Sequence, residues 1–308
     1  MRVAIIGVGA MGGVFGAAFA AVGEDVVLVD VSAPLVDRIN EAGLEVEADG
    51  ARAVHRLVAT TDVESEPVAD LVFVFVKGYH TRAALDLAKP MIGPATIVAT
   101  LQNGWGNGEA IGSAVDLERV VIGVTNNSAT VRDLASVAHT GRGITIVGPA
   151  REGSDLGPAE SVRNLLQAAG FECESRSKVA EDIWRKLVLN AATLPTSALT
   201  GMTAGRLGQP GEVLDLVDAV AREAVAVANA QGYELDEQER VDYIHQLLAG
   251  AGDGKASMLQ DLEAGRRTEI DTINGAIVRL ADEAGVPAPL NRACTALIRG
   301  YEQQKGLA

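Results

Sequence analysis

The sequence predicts an α/β protein in which an N-terminal doubly wound Rossmann sheet is followed by an all-helical C-terminal domain. Three observations carry that prediction. Short, almost continuous Val and Ile runs alternate with helix-period stretches up to about Ser177. A glycine-rich loop separates the first run from the first helical stretch, and from Val179 onward the chain is rich in Ala and Leu at helical spacing. Apolar runs without alternation are how strands read when both faces of a parallel sheet are covered.

The elements follow in order. Val3-Ala4-Ile5-Ile6 is the first strand, and the small apolar stretch 11–22 is the helix after it. Val26-Val27-Leu28-Val29 is the second strand, with a helix starting near Pro34. Leu71-Val72-Phe73-Val74-Phe75-Val76, Thr96-Ile97-Val98-Ala99 and Val120-Val121-Ile122-Gly123 are further strands, with a helix over 81–88. The stretch 139–148, where Ile144-Thr145-Ile146-Val147 alternates among glycines, reads as a late strand or hairpin. Beyond it, helices are expected to break at Pro195, Gly201, 208–211, 250–254 and 285–287. The expected domains are 1–177 and 178–308.

Composition narrows the function. Twenty-six Lys and Arg against 41 Asp and Glu give a net charge of -15, the wrong sign for neutralising phosphates, so nucleic acid is not an expected partner. Cys173 and Cys294 are the only cysteines and lie far apart, which favours neither a disulfide scaffold nor a zinc site. His55, His80, His139 and His245 lack metal-ligand spacing, so no metal is implied. No run reaches the roughly 18 uncharged apolar residues of a membrane span. The expectation is a cytoplasmic protein without a signal peptide and without membrane contact.

Gly7-Val8-Gly9-Ala10-Met11-Gly12 is a G-x-G-x-x-G loop between a strand and a helix. Its glycines allow a tight turn, close approach of a pyrophosphate, and close packing of helix on sheet. Asp30 ends the second strand, where a carboxylate can accept hydrogen bonds from ribose hydroxyls and repel a 2'-phosphate. No Arg follows in Val31-Ser32-Ala33-Pro34, so NAD is favoured, with NADP possible; the competing reading is that Asp30 only caps the next helix. Lys77 and Asn103 follow strands whose carboxyl ends face the ligand crevice of such sheets. Against them stand a solvated strand-end lysine and an ordinary Asn-Gly turn.

In Asp182-Ile183-Trp184-Arg185-Lys186-Leu187-Val188-Leu189-Asn190, Lys186 and Asn190 share a helix face among apolar neighbours. A buried lysine loses pKa and becomes an acid usable near neutral pH. A carboxylate nearby would hold it, and spacing alone leaves Glu263, Glu269 and Asp271 open.

These motifs, with His139-Thr140-Gly141, Ser257-Met258-x-Gln260-Asp261 and Thr268-Glu269-Ile270-Asp271 before Asn274-Gly275, resemble the ketopantoate reductases (2-dehydropantoate 2-reductases) over essentially the whole chain. The resemblance implies a homodimer and a 2-oxo acid held between the two domains. It implies Lys186 as general acid, Glu269 as its partner and a substrate contact, and Asn190 and Ser257 as substrate-binding residues. Asn103 would contact nicotinamide and substrate, and Lys77 would lie near the cofactor.

Two positions depart from that family's pattern. Leu194 stands before Pro195 where ketopantoate-reducing members carry a second asparagine, and Asp30 stands where NADP-linked members carry a basic residue. Both point to an NAD-dependent D-2-hydroxy acid dehydrogenase acting on a branched or aromatic 2-oxo acid. The alternatives are a ketopantoate reductase proper using NADPH, a β-hydroxy acid dehydrogenase, and a non-catalytic NAD-binding sensor, which would need the glycine loop but no acid.

Overall fold

The structure is a computed structural model and describes residues 1–307. It divides into two compact units, one of residues 1–102 and 107–180, the other of residues 103–106 together with 181 onward.

In the first unit the elements are β1 (Arg2–Ile6), α1 (Ala10–Ala21), β2 (Asp25–Val29), α2 (Ala33–Ala42), β3 (Leu44–Ala48), β4 (Ala51–His55), β5 (Val58–Thr60) and β6 (Leu71–Val74). They continue with α3 (Thr81–Ala88), β7 (Ile97–Thr100), α4 (Asn107–Gly112), β8 (Val120–Thr125), β9 (Ser128–Asp133), β10 (Ser136–Gly141), β11 (Thr145–Pro149), α5 (Gly157–Ala168) and β12 (Cys173–Ser175). Eight strands form one sheet in the order β12-β11-β8-β7-β6-β1-β2-β5. Every neighbouring pair is parallel except β11 with β8. The Val and Ile runs are buried on both faces, as continuous hydrophobicity requires. One face carries Phe15 and Phe19 of α1 stacked on Phe73, with Phe75 and Phe171 completing the cluster. The other packs Val72, Val74 and Val98 against Leu85, Met91 and Ile111.

A second sheet, order β4-β3-β10-β9, lies over α1, where Leu44 and Val137 close on Gly13. The sequence reading has no counterpart for it. Its outer strands are exposed and carry charges, such as Arg52 beside Glu45 and Glu47, so no hydrophobic period marks them. The expected strand or hairpin at 139–148 is instead the end of β10 in this sheet and the start of β11 in the large one. The strand expected over 71–76 stops at Val74, two residues before Val76.

The second unit is helical: α6 (Val179–Thr200), α7 (Ala204–Leu207), α8 (Glu212–Ala230), α9 (Glu237–Gly250), α10 (Ser257–Glu263), α11 (Asn274–Ala284) and α12 (Pro289–Lys305). Its core gathers Trp184, Leu187 and Val188 of α6 around Val217, Val220 and Ala224 of α8 and Ile277 of α11. The breaks at Gly201 and at 285–287 are present, the latter as a left-handed Gly285 closing α11. The break expected at Pro195 is not. Here α6 runs through the proline, because tertiary contacts supply what the missing N–H takes away. Among the described residues, no helix is long and apolar enough to cross a membrane.

Candidate active site

The glycine loop joins β1 to α1. Gly7 has φ +96°, which L side chains adopt with strain, and a Cβ on Gly12 would lie 2.0 Å from the Gly7 carbonyl oxygen. A Cβ on Gly9 would meet nothing within 4 Å. Gly9 is also the N-cap of α1; it offers no side-chain cap, and the first turn holds no acidic residue. The opening N–H groups of a 12-residue helix, over Gly9, Ala10, Met11 and Gly12, are therefore left without a side-chain cap beside the open space at Gly9. That arrangement fits a pyrophosphate, which the amide donors and the helix dipole would hold.

Asp30 lies just beyond β2. Its carboxylate accepts the Val8 N–H at 2.8 Å and the Ser32 N–H at 2.9 Å. The N-cap position of α2 is Ser32, whose side chain makes no capping bond, so Asp30 ties down both the glycine loop and the start of α2. Each carboxylate oxygen retains a second acceptor site. Asp30 thus braces the glycine loop while keeping capacity for ribose hydroxyls.

Beyond β6, Lys77 begins the single helical turn Gly78–His80. Gln102, beyond β7, ties this stretch down: its Nε2 donates to the Val76 carbonyl at 2.6 Å and to Thr81 Oγ1 at 2.9 Å, while its Oε1 accepts from Thr100 Oγ1 at 2.8 Å. The sequence reading passed over Gln102. It stands next to Asn103 in the chain, but only the tertiary fold shows which backbone it holds.

In the helical unit Lys186, Asn190 and Leu194 follow at i, i+4 and i+8 on α6, a single row at about 6 Å intervals. Asn190 and Leu194 are buried. Burial pushes the Lys186 ammonium down to about 8 from 10.5, and Glu269 opposes this. Of the three carboxylates that spacing left open, Asp271 is engaged by Arg267 at 3.0 Å and Arg299 at 2.6 Å, and Glu263 pairs with Lys255 at 2.8 Å on the surface. Glu269 is the buried one and the one whose charge acts on Lys186. Its turn is held by Glu302 of α12, a buried carboxylate that accepts the Thr268 N–H at 2.6 Å.

Residues 103–106 join the same turn. The Trp105 N–H donates to the Thr272 carbonyl at 2.8 Å, and Gly104, at φ +90°, passes so close that a Cβ would lie 2.4 Å from that oxygen. Asn103 is thereby anchored beside the turn that carries Glu269. Trp105 packs its ring against Trp184 and Tyr233, at centroid distances of 5.1 and 5.7 Å. This aromatic group left no signal in the sequence, where its members are scattered. Ser257 is not drawn into the group: it is exposed at the first residue of α10 and, among the described residues, its side chain makes no hydrogen bond.

Comparison with known proteins matches residues 3–152 to the family described as ketopantoate reductase PanE/ApbA, and residues 178–302 to its C-terminal counterpart. A 2-dehydropantoate 2-reductase of Archaeoglobus fulgidus is 36% identical over 302 residues, 98% of each chain. One of Pyrococcus abyssi is 32% identical over 99% of each. Among solved structures, D-mandelate dehydrogenase in ternary complex with NADH and anilino(oxo)acetate is 28% identical, with TM-score 0.95 and full coverage of both chains. A PanE/ApbA family ketopantoate reductase from Ralstonia eutropha JMP134 is 32% identical, with TM-score 0.90 over 99% of this chain. With both family regions matched along nearly its whole length and relatives above 30% identity at full coverage, the chain belongs to the ketopantoate reductase family.

Proposed function

We propose that this protein is a nicotinamide-dependent oxidoreductase that reduces a 2-oxo acid to a D-2-hydroxy acid, with NADH as its preferred partner. The observation that carries this is the pairing of a half-buried, softened Lys186 with Glu269, in a chain whose glycine loop ends in an uncapped helix and is braced by Asp30. In this reading 1–177 is the cofactor domain and 178–308 the substrate domain. Gly7, Gly9, Ala10, Met11 and Gly12 hold the pyrophosphate, Asp30 the ribose, and Lys77 and Asn103 lie at the nicotinamide end. The bound cofactor supplies a hydride to the carbonyl carbon. Lys186 attracts the oxo acid and donates a proton from Nζ to the carbonyl oxygen as negative charge develops there, then recovers a proton from solvent. Glu269 keeps the ammonium charged and oriented, and Asn190 and Ser257 bind polar groups of the substrate.

Leu194, in the row with Lys186 and Asn190, supports an apolar substrate side chain, because an alkyl wall offers nothing to a hydroxyl. The D-mandelate dehydrogenase neighbour, solved with NADH, supports both the cofactor and an aryl substrate. The reading of the protein as a 2-dehydropantoate 2-reductase is supported by the names of the relatives from Archaeoglobus and Pyrococcus. Purified protein assayed with NADH and NADPH against ketopantoate, 2-ketoisovalerate and phenylglyoxylate separates the two. NADH with an apolar oxo acid is the expected best pair; NADPH with ketopantoate would replace this reading, and no turnover with any pair would favour a sensor. Lys186→Ala should lower kcat by about 10²- to 10⁴-fold, the usual share of a general acid, with NADH binding kept. Unchanged turnover would remove Lys186 from the mechanism.

A further inference from the structure

Pro195 lies inside α6 and has no N–H, so the carbonyl of Ala191, four residues earlier, loses its helical partner. That carbonyl belongs to the residue after Asn190, deep in the helical core, and Ala191 is fully buried. It is not left unpaired: Asn274 donates to it from Nδ2 at 2.9 Å. Asn274 is fully buried at the first position of α11, five positions after Glu269. The same Nδ2 also donates to Asn291 Oδ1 at 3.0 Å, while the Oδ1 of Asn274 has no partner. The amide therefore acts as a donor in two directions. Asn291 in turn donates to the Val220 carbonyl and to Glu223, whose carboxylate accepts the Leu290 and Asn291 N–H groups at the start of α12.

We infer that Asn274 is a positioning residue, whose hydrogen bond to the proline-freed carbonyl of Ala191 sets the distance between the Lys186–Asn190 face of α6 and the turn that carries Glu269. The inference rests on the proposed roles of Lys186 and Glu269. A helix of ordinary sequence would satisfy Ala191 from within and leave the turn to find its own place. Here the proline exports that bond to a residue on the Glu269 segment, so one hydrogen bond joins the two strips of chain that must meet at the substrate. The connection continues through Asn291 and Glu223 into α8 and α12, which keeps the donor itself from moving.

Removing a buried bond also destabilises the fold, and the test separates the two effects. In Asn274→Ala the Ala191 carbonyl is unpaired. In Asn274→Ala with Pro195→Ala, residue 195 regains an N–H and α6 can satisfy the carbonyl itself, while the link to the Glu269 turn stays cut. The expected result is that thermal stability falls in the single variant and recovers in part in the double, where Asn291 Oδ1 still lacks its donor. In both variants kcat stays about 10- to 100-fold below wild type, the size of a misplacement near 1 Å, with KM changed much less. The high-pH decline of kcat/KM, set by Lys186, should also move to lower pH in both, because Glu269 is the charge that raises Lys186. Recovery of kcat and of the pH midpoint together with stability in the double variant would overturn the inference and leave Asn274 a structural cap. Should the single variant be insoluble, the double variant decides alone on the same readouts. Wild-type turnover by Lys186→Ala would overturn the assignment of Lys186 and this inference with it, whereas a defective Lys186→Ala beside a fully restored double variant overturns the inference only.

Discussion

Replacing Lys186 with Met should cost as much in kcat as Lys186→Ala and make the protein more stable at neutral pH. The ammonium sits in surroundings that lower its pKa from 10.5 to about 8, and this net shift already includes the attraction of Glu269. Folding at pH 7 therefore works against a charge that the unfolded chain carries freely. At about 1.4 kcal/mol per pH unit the cost is roughly 3 kcal/mol as an upper bound. Lys186 is only partly buried, so screening by water reduces the expected gain to about 1–2 kcal/mol. The sign follows from proton linkage. Between about pH 8 and 10.5 the unfolded state binds the proton and the folded state does not, so wild-type stability rises with pH across that window; below it the cost is constant. Met fills a similar volume with no charge, so its advantage should be full at pH 7 and fade as the pH approaches 10.5. Urea unfolding of both proteins at pH 7, 8, 9 and 10 measures this directly. A variant that is less stable at pH 7, or an offset that does not change with pH, would refute the claim that burial outweighs Glu269 at this site.

Two further perturbations test the cofactor half. Gly12→Ala places a methyl 2.0 Å from the Gly7 carbonyl oxygen, so the loop must shift; a loss of about 1–3 kcal/mol in stability and at least about tenfold weaker NADH binding are expected in thermal melts and fluorescence titration. Wild-type binding would show that the loop does not hold the pyrophosphate. Asp30→Ala with Val31→Arg removes the carboxylate and adds a cation for a 2'-phosphate, so the ratio of kcat/KM for NADPH over NADH should rise. Because Asp30 also accepts the Val8 N–H, total activity should fall as well. An unaltered ratio would mean that Asp30 serves the loop alone.

Much of this architecture was legible in one dimension. The strands β1, β2, β6, β7 and β8 announce themselves because a strand buried on both faces must be apolar at every position. The loop between β1 and α1 is legible for a related reason: Gly7 has a positive φ, which glycine adopts without strain, and Gly12 has no room for a Cβ. Lys186 and Asn190 could be placed on one face from spacing, since the helical period is fixed by backbone geometry.

Other features depended on distance in space. The sheet built from β3, β4, β9 and β10 has solvent on its outer side, so its strands carry mixed residues that resemble loops. Spacing could not choose among three carboxylates as the partner of Lys186, and only the packing of α10, α11 and α12 showed Asp271 and Glu263 held by other cations while Glu269 was buried. Pro195 read as the end of a helix, which it would be in isolation. Asn274, 79 positions away, supplies the donor at Ala191 that lets the helix continue. Local preference determines what a segment tends to form, through the clashes and hydrogen bonds of its own backbone. Which partner satisfies a freed carbonyl or a buried charge is decided by residues remote in sequence, and those meet only once the chain has folded.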